Sequence, residues 1–187
     1  MTHRWFLVAM VCLLTRLVLA QEPCQSGPAP GQRPGPYAFV VSTGPNRGKA
    51  HCFICEAENR PLAIVFARRL DDATGRLLQR LDQALVRYRD QELRAWATFL
   101  HEDQPAFHPK LTEWARKHRL SHLSVGIFED EAGPPTYRLN RDADVTVLLA
   151  VKQKVVFNFA FRPGELTDQR IEEILRCLAK ILESSGT

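Results

Sequence analysis

The sequence predicts one α/β domain with a mixed sheet, closed by an antiparallel hairpin and a C-terminal helix. Residues 62–67, LAIVFA, form a continuous apolar run, as expected for a strand buried on both faces of a parallel sheet. Strand-like and helix-like segments alternate around this run, which favours crossover helices on both faces of the sheet. Near the end, the apolar segments 145–151 and 155–161 are separated by only three residues and must form a hairpin.

The first twenty residues, MTHRWFLVAMVCLLTRLVLA, have the features of a secretory signal peptide. Arg4 precedes an apolar stretch, and Val18 and Ala20 suit cleavage before Gln21. Arg16 interrupts the stretch, whereas a membrane span needs about 20 mostly apolar residues, so an uncleaved N-terminal anchor is the weaker alternative. We therefore expect an exported protein, periplasmic or extracellular, with no stable membrane insertion after cleavage.

The composition of the mature chain indicates one domain and excludes one class of partner. Cleavage leaves 167 of the 187 residues, with 23 basic and 21 acidic side chains and a formal charge of +2. This length suffices for a domain with a substantial core. The basic residues are spread along the chain and no basic run interleaves with aromatics, so we expect no nucleic-acid partner.

Residues 21–36, QEPCQSGPAPGQRPGP, are rich in Pro, Gly and Gln and nearly devoid of apolar side chains. Such a composition cannot bury a core and predicts a flexible linker. The folded domain is therefore predicted to span residues 37–187.

The elements of this domain are predicted in the order strand, helix, strand, helix, strand, hairpin, helix. Asp71 and Asp72 suit the first turn of the first helix, and His108-Pro109 opens a second helix that ends at Lys117. Thr167 is a good N-cap for the last helix. The residues that form the apolar stripes are Leu77, Leu81, Leu85 and Tyr88 in the first helix, Leu111, Trp114 and Ala115 in the second, and Ile171, Ile174, Leu175, Leu178, Ile181 and Leu182 in the last. The single strands are predicted over 37–43, 62–67, 93–100 and 123–128.

Four cysteines remain after signal cleavage: Cys24, Cys52, Cys55 and Cys177. They allow three disulfide connectivities, and an exported protein lives where disulfides persist. Cys52 and Cys55 form a Cys-x-x-Cys motif. Cys177 lies beside the stripe of the last helix and is interpreted as a packing residue, although a bridge to Cys24 stays open.

Two stretches resemble known proteins. Residues 141–178, RDADVTVLLAVKQKVVFNFAFRPGELTDQRIEEILRCL, resemble the closing strand–strand–helix unit of thioredoxin-like and peroxiredoxin-like proteins. Residues 48–68, GKAHCFICEAENRPLAIVFAR, are similar to exported bacterial thioredoxin-like proteins of unassigned function. The resemblance covers roughly residues 37–183 and implies a thioredoxin-like three-layer sandwich.

The chain departs from active members of that fold at two places. In those proteins a Cys-x-x-Cys follows a core strand and opens a helix, whose N-terminus stabilises the attacking thiolate. Here the pair precedes the strand 62–67, and the RRLDDATG that follows this strand contains no cysteine. Active members also carry a cis-proline before the Thr of the first hairpin strand, and Val145 stands at that position. The resemblance therefore implies that the pair lies on an N-terminal extension or a short turn before the core strand.

The motif supports three readings. In the first, it exchanges disulfides with partner proteins that carry thiols or disulfides. Cys52 would then be the attacking thiol and Cys55 the resolving one, because Lys49 and His51 lie on the Cys52 side and Glu56 on the other. In the second, the pair is a structural disulfide of a thioredoxin-like binding module.

In the third reading, Cys52, Cys55 and His51 are ligands of zinc or copper, with His101 as a fourth. Covalent haem is excluded because Glu56, rather than a histidine, follows the second cysteine. Of the three readings we favour a thiol–disulfide oxidoreductase acting through Cys52 and Cys55, with no metal and no cofactor.

Overall fold

The computed structural model describes residues 22–183, so the predicted signal peptide lies outside it. These residues form one seven-stranded mixed sheet in the order β2-β1-β5-β4-β3-β6-β7. The strands are β1 Phe39–Thr43, β2 Ala50–His51, β3 Leu62–Ala67, β4 Arg94–Leu100, β5 Ser124–Phe128, β6 Val145–Val151 and β7 Lys154–Phe161. The helices are α1 Asp72–Arg87, α2 Gln104–Lys117 and α3 Asp168–Glu183. Within the described range, no helix is long and apolar enough to cross a bilayer.

The predicted central strand is confirmed. All six residues of β3 are buried. The strand pairs in parallel with β4 and antiparallel with β6, the first strand of the hairpin. The mixed sheet, the closing hairpin and the terminal helix are the predicted fold class.

The helices are arranged differently from the prediction. Ala63, Val65 and Ala67 of β3 point into the same core as the apolar stripes of α1, α2 and α3. Both crossovers, from β3 to β4 and from β4 to β5, advance in the same direction along the sheet. Because such crossovers are right-handed, they place both helices on one face. The expectation of helices on both faces was therefore wrong.

The opposite face carries a second core that is covered by non-helical segments. Leu62, Ile64 and Phe66 of β3 point into this core together with Trp96 and Tyr137. The covering chain includes a 3-10 turn at Phe53–Glu56, another at Pro135–Tyr137, and the extended residues before β1. The third layer of the sandwich is thus built from turns and extended chain.

The segment predicted to be a flexible linker is packed on the sheet over the described residues 22–36. Ser26 is buried, and its hydroxyl accepts hydrogen bonds from Thr146 Oγ1 at 2.7 Å and from the Asn140 amide at 3.0 Å. Further along, the Gly31 amide donates to the Val155 carbonyl at 2.7 Å. Polar and backbone groups fix this segment, whereas the prediction considered only its lack of apolar side chains.

Helix α2 begins four residues before the predicted His108, at Gln104. Asp103 caps it, since its Oδ1 accepts from the Ala106 amide at 3.0 Å. Pro105 then lies in the first turn, where a missing amide donor is tolerated. The sequence contains this cap, but the prediction used the second proline, Pro109, as the start.

Candidate functional site

Cys52 and Cys55 form a disulfide within a short turn between β2 and β3. Their Cα atoms are 5.4 Å apart, an ordinary separation for a disulfide. The residues from Phe53 to Glu56 adopt a 3-10 helix, and the Cys55 amide donates to the Cys52 carbonyl at 3.2 Å. We call residues 52–57 the Cys turn. Cys55 is exposed and Cys52 is half-buried.

Aromatic stacking attaches the Cys turn to the second core. The Phe53 ring lies between the rings of Phe39 and Trp96, with centroids 5.5 Å from each. The His51 ring meets the edge of Phe53 at 4.4 Å. Ala57 is buried at the end of the turn. These contacts hold the disulfide at the surface while its neighbours are fixed inside.

The charges around the disulfide nearly cancel. His51 Nε2 lies 3.4 Å from Glu56 Oε2, so a protonated His51 would face a carboxylate on the same turn. Arg60 donates to the Glu56 carbonyl at 2.9 Å and forms an ion pair with Glu92 at 3.2 Å. Two further cations, Lys49 and Arg33, are both exposed, so solvent screens their charge; Lys49 lies three residues before Cys52, and Arg33 lines the same cavity as Cys55. The turn therefore lacks the strong positive field that activates many reactive thiols.

The Cys turn lies at the end of the sheet where the parallel strands begin. It immediately precedes β3, and its cavities are lined by the starts of β3, β4 and β5: Leu62, Arg94 and Ser124. The opposite end of these strands, at Ala67 and Leu100, is about 17 Å away, because each residue of a strand advances the chain by about 3.3 Å. The structure thus places the pair before the core strand, as the resemblance implied.

Two arginines occupy the position after β3, where a nucleophile would follow the core strand. Arg69 binds Asp144 through two hydrogen bonds of 2.8 and 2.7 Å. Arg68 donates to the carbonyls of Ala143, at 2.9 Å, and Asn140, at 3.2 Å. Both guanidinium groups are used to tie the β5–β6 connection to the end of β3. Both arginines therefore brace this end of the sheet, and residues 68–75, which follow β3, contain no cysteine.

Two cavities flank the Cys turn. The first, which we call the Cys55 groove, has a volume of about 490 Å³ and is lined by Arg33, Pro34, Gly35, Pro36, Ile54, Cys55, Glu58, Leu62 and Gln153. The second is about 340 Å³, and its lining includes His51, Phe53, Glu56, Trp96 and His122. Only the first contains a cysteine. Any thiol that reacts with the disulfide from a bound position would therefore approach through the Cys55 groove.

The structure separates His101 from the cysteines. His101 follows β4 at the far edge of the sheet, where its ring stacks on Phe107 at 4.2 Å and its Nδ1 accepts from the Asp103 amide at 3.1 Å. It therefore cannot complete a metal site with Cys52 and Cys55. Within residues 22–183, no three His, Cys, Asp or Glu side chains are grouped as metal ligands.

Two further histidines and the two remaining cysteines lie away from the Cys turn. His108 Nδ1 lies 3.0 Å from Ser42 Oγ, and His118 packs against Trp114 with ring centroids 4.7 Å apart. Cys24 and Cys177 are free thiols and do not form the bridge that was left open. Burial raises the pKa of Cys24, although the nearby Arg162 opposes this effect.

Comparison with solved structures identifies the fold. An uncharacterized thioredoxin-like protein from Porphyromonas gingivalis superposes with a TM-score of 0.57 at 16% identity, over 83% of this chain and 95% of that one. The reduced 2-Cys peroxiredoxin of Plasmodium vivax gives a TM-score of 0.59 at 14% identity, over 85% of each chain. A thiol-disulfide oxidoreductase from Bacteroides fragilis gives 0.51 at 14% identity, over 76% of this chain and 99% of that one.

These likenesses, together with the sheet order and the closing hairpin, define the chain as a protein of thioredoxin-like fold. No family model and no curated protein matches the sequence. At identities of this size the neighbours establish the fold alone. Evidence for an activity of this protein has to come from the chemistry of its own Cys turn.

Proposed function

We propose that the protein is a thiol–disulfide oxidoreductase that reacts through Cys52 and Cys55. The observation that carries this proposal is the exposed Cys52–Cys55 disulfide, of which Cys55 opens into a groove large enough for a bound partner. Cys-x-x-Cys disulfides close a small ring, and exposed disulfides are more readily exchanged than buried ones. The thiol-disulfide oxidoreductase among the structural neighbours gives further support to this chemistry.

The greater exposure of Cys55 supports roles for the two cysteines that are the reverse of our sequence-based expectation. An incoming thiolate attacks the sulfur of Cys55, the more exposed residue, and forms a mixed disulfide. The bond between the two protein sulfurs breaks, and Cys52 leaves as a thiolate that takes up a proton. A second thiol of the partner, as a thiolate, then attacks the mixed disulfide and releases Cys55. The partner dithiol is thereby oxidised to a disulfide, and the protein is reduced by two electrons.

Reoxidation of the dithiol needs an acceptor of the disulfide class, such as oxidised glutathione or a protein disulfide. We propose that the mature protein works in an oxidising, extracytoplasmic compartment, where such acceptors are present. Determining the N-terminus of the protein purified from its source would test the predicted cleavage before Gln21. An intact N-terminus would contradict it.

The experiment that tests the proposed function is a redox titration of the mature protein. The protein is equilibrated in graded glutathione buffers, its thiols are trapped by alkylation, and the peptide that holds Cys52 and Cys55 is read by mass spectrometry. We expect a reversible two-electron transition at a potential less negative than about −300 mV. Cys177→Ser serves as the control and should leave the transition unchanged, whereas Cys55→Ser should abolish it.

A second function, a binding module with a structural disulfide, is favoured by the position of the Cys turn. The pair lies at the edge opposite the one that Arg68 and Arg69 occupy, and Glu56 offsets His51. In this case the pair would stay oxidised throughout the glutathione series. The same titration therefore distinguishes the two functions.

A further inference from the structure

The Cys55 groove has one wall that belongs to the segment before β1. Arg33, Pro34, Gly35 and Pro36 form this wall, and Cys55, from the Cys turn, lines the same groove. A volume of about 490 Å³ lies within the range of about 300–1,000 Å³ that is common for ligand pockets. The groove therefore has the size of a binding site and contains the reactive sulfur.

The wall segment is held in place before any ligand arrives. The Val155 amide donates to the Gln32 carbonyl at 2.9 Å, next to the bond between Gly31 and Val155. The Tyr137 hydroxyl donates to the Gly35 carbonyl at 2.9 Å. A Cβ atom at Gly35 would lie 2.5 Å from Thr136 Oγ1, so only glycine allows this close approach. A preformed wall reduces the entropy lost on binding.

The lining indicates side-chain recognition of an apolar segment. Ile54 and Pro36 present apolar surface to the groove, and the buried Leu62 and Pro34 lie behind it. Pro34 and Pro36 have no amide hydrogen, so this wall lacks two of the donors that pairing with a partner strand would use, which favours recognition of side chains. A peptide would therefore bind through its side chains.

Two charged side chains of opposite sign, Arg33 and Glu58, line the groove. Glu58 is 75% exposed and lies 3.8 Å from the Arg60 guanidinium, which pairs more closely with Glu92, at 3.2 Å. Arg33 is also exposed and, among residues 22–183, forms no ion pair. Its guanidinium is therefore available to pair with an anionic side chain on the ligand.

We propose that the Cys55 groove binds an extended apolar segment of a partner protein, which carries the reacting cysteine with an acidic residue beside it. This proposal rests on the proposed function, since it names the substrate class of the same disulfide. Glutathione lacks apolar side chains, so it reacts with Cys55 without filling the groove.

The test uses the Cys52→Ser variant, which leaves a single thiol in the Cys turn. Three capped tetrapeptides, acetyl-Leu-X-Cys-Val-amide with X as Glu, Gln or Lys, and glutathione are each converted to the mixed disulfide with thionitrobenzoate. The Cys55 thiolate attacks the peptide sulfur, forms a protein–peptide disulfide and releases coloured thionitrobenzoate. The leaving group is the same in all four probes, so differences in rate report recognition.

We expect the Glu peptide to react fastest and the glutathione probe slowest. Arg33→Glu should slow the Glu peptide and speed up the Lys peptide, each by about threefold, as befits one exposed charge pair. Arg47→Glu is the matched control, because Arg47 is exposed and lies outside the groove. It should change neither rate.

The possible failures are distinguishable. Equal rates for all four probes, with Cys55 reactive, would overturn the groove proposal and leave the exchange function standing. A folded variant whose Cys55 reacts with no probe would overturn both. If Cys52→Ser does not fold, the reduction of the wild-type disulfide by the reduced peptides and by glutathione gives the same comparison, read by alkylation.

Discussion

At the scale of single residues, Asp82 shows how one side chain positions an element of the site. It lies in the middle of α1 and is buried, and its Oδ1 accepts three hydrogen bonds from the amides of Ser121, His122 and Leu123, at 2.9, 2.7 and 2.7 Å. A carboxylate is well suited to this role because charge-assisted bonds are shorter and stronger than neutral ones. Asp82 thus fixes the entry to β5, beside the cavities at the Cys turn.

We predict that Asp82→Ala lowers the free energy of unfolding by about 2–3 kcal/mol, because it leaves amide donors without an acceptor. Asp82→Asn keeps an acceptor oxygen and should lose less. Urea denaturation followed by circular dichroism measures both. Equal losses for the two variants would show that the three bonds contribute nothing specific.

His118 should make the stability of the protein sensitive to acid. Its side chain is 12% exposed, and its Nε2 lies 3.5 Å from Asp72 Oδ1 without a hydrogen bond. It packs so closely on α1 that a Cβ atom at Gly75 would overlap its ring. Burial lowers the pKa of His118 below its usual value of 6.5, and Lys117 adds to this effect while Asp72 opposes it.

The sign of the pH dependence follows from this shift. Because the folded pKa is the lower one, the unfolded chain binds the proton more readily. The stability is full above pH 6.5, the ordinary histidine value, and falls as the pH decreases through the folded pKa. We expect unfolding midpoints in urea to decline below that pH, with a weaker decline in His118→Gln. An identical decline in the variant would assign the effect to other groups.

At the scale of elements, the Cys turn is anchored by one aromatic side chain, Phe53. Phe53 stacks between Phe39 and Trp96, and this anchor connects the exposed disulfide to the second core. Its attachment is therefore a property of packing across three elements, and the four-residue 3-10 helix does not provide it alone.

We predict that Phe53→Ala lowers the free energy of unfolding by about 2–3 kcal/mol, through lost burial and lost stacking. We also expect dithiothreitol to reduce the Cys52–Cys55 disulfide faster in this variant, because the turn is freer to open. Phe53→Leu retains most of the apolar volume and is the matched control. An unchanged reduction rate in Phe53→Ala would show that the stacking does not restrain the disulfide.

The predicted elements were reliable where the signal was local. The strands β3, β6 and β7 and the helix α3 lie where their apolar patterns placed them. The two-residue strand β2 was missed because two residues are too short for a periodicity. The hairpin turns at Lys152 and Gln153, both with positive φ, so the connection is one residue shorter than predicted. Such two-residue turns match the twist of antiparallel strands.

At the scale of the whole molecule, the segment before β1 is part of the fold. Asn158 Nδ2 donates to the carbonyls of Ser26 and Pro28, both at 2.9 Å, in addition to the bonds of the Ser26 hydroxyl. These contacts cover the β6–β7 side of the sheet that no helix covers. The segment therefore takes the place of a helical layer.

We predict that removing residues 22–32 lowers the free energy of unfolding by about 2 kcal/mol or more, since several hydrogen bonds of roughly 1 kcal/mol each are lost. Ser26→Ala tests the same contacts by a point change and should cost about 1–2 kcal/mol. Urea denaturation of the mature protein and the two variants gives these values. Unchanged urea midpoints in both variants would show that the segment is a flexible linker that does not contribute to stability.

The sequence by itself determined the central strand, the closing hairpin, the last helix and the spacing that lets Cys52 and Cys55 close a small ring. Each of these depends on residues that are near neighbours in the chain, so periodicity and composition report them. The tertiary structure alone decided that all three helices share one face, that His101 lies at the far end of the sheet from the cysteines, and that Cys55 lines a groove together with residues 33–36. These features join distant parts of the chain, as when Ser26 meets Thr146 across 120 positions. No local pattern encodes such contacts, because their free energy comes from the packing of the complete sheet.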